Sequence, residues 1–112
     1  MERAIRSLKP VLPGAQIEVS GGLSRPPMEH TPQIVALYQR ARELGKRLGL
    51  DLAEGSTGGA SDGNYTAALG VPTLDGLGAV GDRAHSPEEH IIIKHFPERA
   101  ALLALLIEDL VG

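Results

Sequence analysis

No cysteine occurs in the chain, so neither a disulfide framework nor a thiolate metal site can be built, and redox chemistry gives no indication of compartment. Cytoplasm is then a default placement. Excess positive charge is missing too. The net charge is −3 with both signs interspersed, which leaves no basic face to neutralise phosphates, so neither nucleic acid nor an anionic membrane is an expected partner. Long apolar runs are also lacking. The longest, ALLALLI at 101–107, is too short to span a bilayer, and the N-terminus MERAIRSLKP is charged and has no apolar core, so no signal peptide and no membrane anchor are expected. There is no internal repeat and no low-complexity segment. What is present is the balance of a globular protein: 42% apolar residues, a mean hydropathy of −0.04, and 112 residues, enough for one small core.

Along the chain, Glu2 to Leu8 allows one or two helical turns, stopped by Pro10. After the turn at Pro13-Gly14, AQIEVS (15–20) alternates with Ile17 and Val19 on one face, the signature of a short strand. GGLSRPP then reads as a linker, with a boundary near Ser24. Thr31 suits an N-cap and Pro32 the first helical position. Ile34, Leu37, Tyr38, Ala41, Leu44 and Leu48 recur on one face until Gly49, which predicts a helix over 32–48. Leu50 to Glu54 predicts a strand, the glycine-rich stretch after it opens a short helix ending at Gly70, and VPTLDGLG (71–78) predicts another strand. A last helix from Pro97 carries Leu102, Leu103, Leu106, Ile107 and Leu110. Helices alternating with strands from residue 25 onward predict an α/β layer structure.

Three features carry chemistry. The first is GGASDGNY (58–65). A strand that runs through glycines into a helix N-terminus exposes backbone N–H groups to an anion, phosphate or carboxylate, and Ser61 or Asp62 can cap the helix. The stretch has neither the Lys-Ser/Thr pair of a phosphate-binding Walker loop nor the G-x-G-x-x-G of a dinucleotide fingerprint. A tight strand-to-helix turn with Asp62 as cap accounts for the same glycines. The second is GDRAHSPEEHIIIKH (81–95). His85, His90 and His95 recur every five residues, which fits neither the i, i+4 pairing of a helical metal site nor zinc-finger spacings. A ligand completed by distant residues remains open, with His85 best placed, and so does an ordinary hydrogen-bonded or surface histidine. Glu88 and Glu89 read either as a solvated turn or as acceptors behind a ligating histidine. The third is Arg25 in LSRPP, which either pairs loosely with a neighbour such as Glu29 or offers a bidentate contact to a carboxylate.

In this order, Arg25-Pro26, amphipathic helix, strand, GGASDGNY, VPTLDGLG and AHSPEEHI (84–91) resemble the C-terminal portion of the zinc-dependent exopeptidases and deacylases. That group includes carboxypeptidase G-type glutamate carboxypeptidases, aminoacylases and succinyl-diaminopimelate desuccinylase. The most specific elements are the G-G-x-S-D-G loop and the later H-S-x-x-E-x-I at His85, Ser86, Glu89 and Ile91. The resemblance implies that residues 1–24 are the last helix and strand of an inserted α+β lid or dimerisation domain. Residues 25–112 would be the C-terminal part of a three-layer α/β catalytic domain. It further implies that His85 is a ligand in a two-zinc site, with Glu89 supporting it. Arg25 and the backbone of Gly58, Gly59 and Ala60 would take the substrate carboxylate, while Ser61 and Asp62 shape the loop. The family's other ligands and its general-base glutamate lie upstream of the matching region, so no catalytic residue is assigned in this chain. The expectation is a C-terminal fragment of an amide hydrolase acting on a small carboxylate-bearing peptide or N-acyl amino acid. Alone, it would have little or no activity and would not hold the zinc ions. Two alternatives are a subunit completed by an N-terminal partner and a non-catalytic carboxylate-binding or pairing module. A homodimer through the 15–20 strand is also expected.

Overall fold

Two long helices pack against each other because each carries an apolar stripe at helical spacing. The computed structural model describes residues 1–112 and contains α1 (Glu2–Arg6), α2 (Pro32–Arg47), α3 (Gly63–Ala68), β1 (Gly81–Asp82), β2 (His90–Ile91), a 3-10 turn (Ile93–His95) and α4 (Phe96–Val111). Thr31 caps α2 as its side-chain oxygen accepts the Ile34 N–H at 3.3 Å, and Pro32 fills the first helical position. Gly49 ends the helix at φ 75, where the Gly49 N–H reaches the Lys46 carbonyl and the Leu50 N–H reaches the Gly45 carbonyl. The same pair of bonds closes α3 at Gly70.

Ala41 and Leu44 of α2 meet Leu102 and Leu106 of α4 in the buried core, flanked by Leu37, Leu48 and Leu105. At the solvent edge Arg40 Nε bonds Asp109 Oδ2 at 2.7 Å, and Arg40 Nη2 bonds the Asp109 carbonyl at 2.9 Å, fixing the crossing of the two helices. Leu50, Leu52, Leu74 and Leu77 pack onto this core from the connecting segments. The hydrogen bond and charge of Lys46 on the solvent face of α2 hold the Glu43 carboxyl below the usual carboxylate range.

The expected strands differ. Segments 15–20, 50–54 and 71–78 make no ladder, and the sole sheet is an antiparallel pair, Gly81 with Ile91 and Asp82 with His90, extended by the Ile92 N–H to the Val80 carbonyl at 2.8 Å. The α/β expectation is met in its helices and not in its strands or sheet, and the regular structure is mostly helical. The reason is partnership: ladder bonds need a second strand beside the first, and these segments have none. Side chains take several of their carbonyls instead. Arg6 reaches Val19 and Gly21 at 3.3 and 3.2 Å, Tyr38 Oη reaches Leu52 at 2.8 Å, and Arg99 reaches Gly76 and Gly78 at 2.6 and 2.9 Å. The predicted N-terminal helix is present but shorter, and it packs on no other element. A radius of gyration of 19.9 Å and extents of 66 × 36 × 18 Å describe an elongated chain. A compact domain of this length would have a radius of about 13 Å.

Candidate functional site

The glycine-rich segment 55–61 and the Arg25–His30 segment face each other across a cavity of about 1020 Å³. Asn64, at the start of α3, joins the two walls. Its Nδ2 donates to the Pro26 carbonyl at 2.9 Å, and its Oδ1 accepts the Ser61 N–H at 2.9 Å. Ser61 Oγ accepts the Gly63 N–H at 3.1 Å and supplies the turn into the helix. Asp62, one of the two expected caps, makes no such bond. Its carboxylate instead lies 3.5 Å from Arg25 Nη2, where the sequence suggested Glu29 as partner.

Arg25 is half-buried, with its guanidinium carbon 4.8 Å above the centre of the Tyr65 ring. A cation on an aromatic face and beside a carboxylate has few rotamers left, so it is oriented before any ligand arrives. Of the expected carboxylate donors, Gly58 and Ala60 have no intramolecular acceptor for their N–H groups, whereas the Gly59 N–H donates to Thr57 Oγ1 at 3.2 Å. Arg25, Gly58, Gly59, Ala60 and Ser61 all line the cavity. It therefore combines one oriented guanidinium with two free backbone donors, an arrangement suited to a carboxylate.

His85 and Glu89 do not line this cavity. Both lie in the β1–β2 hairpin, where Arg83 and His85 adopt φ 58 and 68, the left-handed region that side chains with a Cβ enter at a cost. The Glu89 carboxylate accepts the His85 N–H at 3.1 Å, the Glu89 N–H reaches the Ser86 carbonyl at 3.1 Å, and Arg83 pairs with Glu88. Glu89 thus supports the backbone of His85 rather than its ring. His90 Nδ1 meets the Glu88 carbonyl at 2.9 Å and His95 Nδ1 meets Glu98 at 2.8 Å. No three His, Asp or Glu side chains converge as a metal-holding group.

Two features of the site escaped the sequence reading. Asn64 bridges both walls, and His30 Nε2 lies 3.1 Å from Glu54 Oε2 on the cavity lining. Asn64 belongs to the glycine-rich motif, but its partners Ser61 and Pro26 lie 3 and 38 positions before it, separations that no local pattern links. His30 and Glu54 stand 24 positions apart, and no local pattern links them.

The family described as Peptidase family M20/M25/M40 matches residues 7–109. Carboxypeptidase G2 from Pseudomonas sp. (strain RS-16) is 33% identical over 110 residues, covering 94% of this chain. The chain spans about a quarter of that relative's length, 26%. No solved structure matches.

Proposed function

The chain belongs to peptidase family M20/M25/M40, a family of metal-dependent hydrolases, and on that premise we propose that it is the C-terminal part of an enzyme that cleaves an amide bond next to a free carboxylate. The reaction type is that of a glutamate carboxypeptidase or an N-acyl amino acid deacylase. The observation that carries this reading is the cavity that brings Arg25 together with the free N–H groups of Gly58 and Ala60. An anionic substrate end bound there gains charge-assisted hydrogen bonds without competing for a metal.

In this reading residues 1–24 are the trailing helix and strand of an inserted lid or dimerisation domain, and 25–112 return into a three-layer catalytic domain. His85 is one metal ligand in the complete protein. The residues present do not assemble a metal site by themselves, since no three potential ligands converge and a catalytic zinc takes about three from the protein. The general base likewise comes from elsewhere in the complete enzyme. What this chain contributes is the carboxylate clamp and a strained, Glu89-braced histidine.

A subunit completed by an N-terminal partner is the second reading. It is favoured by segments 50–54 and 71–78, whose leucines rest on the helices while their backbones lack ladder partners. Mixing the chain with a complementary N-terminal portion tests both readings. Hydrolysis of glutamate-ended amides or N-acyl amino acids should appear with bound zinc and vanish with His85→Ala. An unchanged rate in that variant would sink the assignment of His85.

A further inference from the structure

Arg25 already faces a carboxylate of its own chain. Asp62 Oδ1 lies 3.5 Å from Arg25 Nη2, longer than a charge-assisted hydrogen bond of about 2.8 Å. The Asp62 side chain is 96% exposed and makes no helix-cap bond, because Ser61 Oγ takes the Gly63 N–H. Only the guanidinium holds it, and it is free to swing into water. The nitrogen it approaches matters, since a planar guanidinium grips a carboxylate with two N–H groups through Nε with Nη2 or through Nη1 with Nη2. Asp62 therefore stands in the way of both forks. Tyr65 holds Arg25 differently: its ring centre lies 4.8 Å from the guanidinium carbon, a contact that brings no charge for a ligand to displace. Neither Asp62 nor Tyr65 lines the cavity, so each acts on a ligand there through Arg25.

Resting on the carboxylate-site reading above, we propose that Asp62 is the resting occupant of Arg25, exchanged for the substrate carboxylate, and that Tyr65 is the positioning residue that keeps the guanidinium in place during the exchange. A ligand carboxylate takes Nη2 and one neighbouring nitrogen, and Asp62 moves into solvent. The exchange lowers the affinity for any carboxylate, because an ion pair is broken as another forms. It also returns a partner to the guanidinium as a product leaves.

The test is an NMR titration of the 112-residue chain with Nα-acetylglutamate at low and at high salt, read at the Gly58 and Ala60 amides and at the Asp62 carboxyl carbon. Asp62→Asn should bind about two- to fivefold more tightly at low salt, a gain that shrinks at high salt. Asp62→Glu, which keeps the charge, should show no gain. In the unmodified chain the Asp62 carboxyl carbon should shift along the same curve as the two amides, as it loses Arg25. Tyr65→Leu should weaken binding about two- to fivefold, and Tyr65→Phe, which keeps the ring, should not. Binding that is lost in Arg25→Ala but unchanged or weakened in Asp62→Asn would overturn the exchange and leave the carboxylate site standing. An Asp62 carboxyl carbon that stays still at saturation would do the same, and equal affinity in Tyr65→Leu and Tyr65→Phe would overturn the positioning role. No shift at Gly58 or Ala60 in any of these proteins would overturn the site reading and this proposal with it.

Discussion

Arg25 is held from two directions, by Asp62 at 3.5 Å and by the Tyr65 ring at 4.8 Å, so its loss should be felt as a loss of binding more than of folding. Arg25→Ala should cost about 1.5–3 kcal/mol of affinity for a carboxylate ligand, the value of a charge-assisted bond. In the completed enzyme it should act chiefly on kcat/KM. Its melting curve should stay near that of the unmodified chain, and a large drop in stability with unchanged ligand affinity would contradict the role. Asn64→Ala should do the reverse. It removes the bonds to Pro26 and Ser61, leaves part-buried groups unpaired at a cost of about 1–3 kcal/mol, and lets the two cavity walls separate. At Glu89 the expectation concerns conformation. Glu89→Ala removes the acceptor of the His85 N–H at 3.1 Å, so the His85 amide should exchange with solvent faster and its chemical shifts should move toward those of an extended residue. Glu89→Gln, which keeps an oxygen acceptor, should restore most of the protection. Identical exchange in all three proteins would show that the left-handed turn does not depend on this contact. Little of this was legible beforehand: the two motifs named Ser61, Asp62 and Glu89, but the partner each oxygen takes depends on how the chain folds around it.

Helices α2 and α4 were readable in the sequence nearly to their ends because every helical hydrogen bond closes within four residues and the stripe that buries them repeats every turn. Leu102 is fully buried and Leu106 nearly so, while Leu103, Ile107 and Leu110 of the same helix are 44%, 54% and 50% exposed. Leu102→Ala should therefore cost about 2–5 kcal/mol by denaturant unfolding. Ile107→Ala should stay within about 1 kcal/mol, since a half-exposed side chain has less apolar area to lose. Comparable losses at the two positions would mean that the second face of α4 is covered in solution. At the end of α2, Gly49→Ala places a Cβ at φ 75 and should cost about 1–2 kcal/mol, with α2 fraying from its C-terminal turn in hydrogen exchange.

At the scale of the whole molecule, the elongated form and the segments without ladder bonds point to association. AQIEVS keeps its period-two alternation, its residues lie against no other strand, and Ile17 is 46% exposed. An extended segment of this pattern with unpaired backbone groups is a template on which another copy can pair. We expect a concentration-dependent dimer through residues 15–20 in sedimentation, abolished by Ile17→Lys together with Val19→Lys. A chain that stays monomeric at every concentration would remove this expectation.

The sequence alone determined the helices, expected over 32–48 and from Pro97 and found at 32–47 and 96–111, the glycines that stop α2 and α3, the position of the glycine-rich loop and the family to which its motifs belong. Each rests on bonds or spacings that close within a few residues. Tertiary structure decided what those pieces do together. It set Arg25 against Asp62 and Tyr65, used Asn64 to tie the Arg25 segment to Ser61, and placed His30 on Glu54 across the cavity lining. It also left three alternating segments without a sheet and formed one at 81–82 and 90–91 instead. A strand is a relation between distant stretches of chain, so its pattern can be written in one segment while its hydrogen bonds depend on whether another stretch arrives beside it.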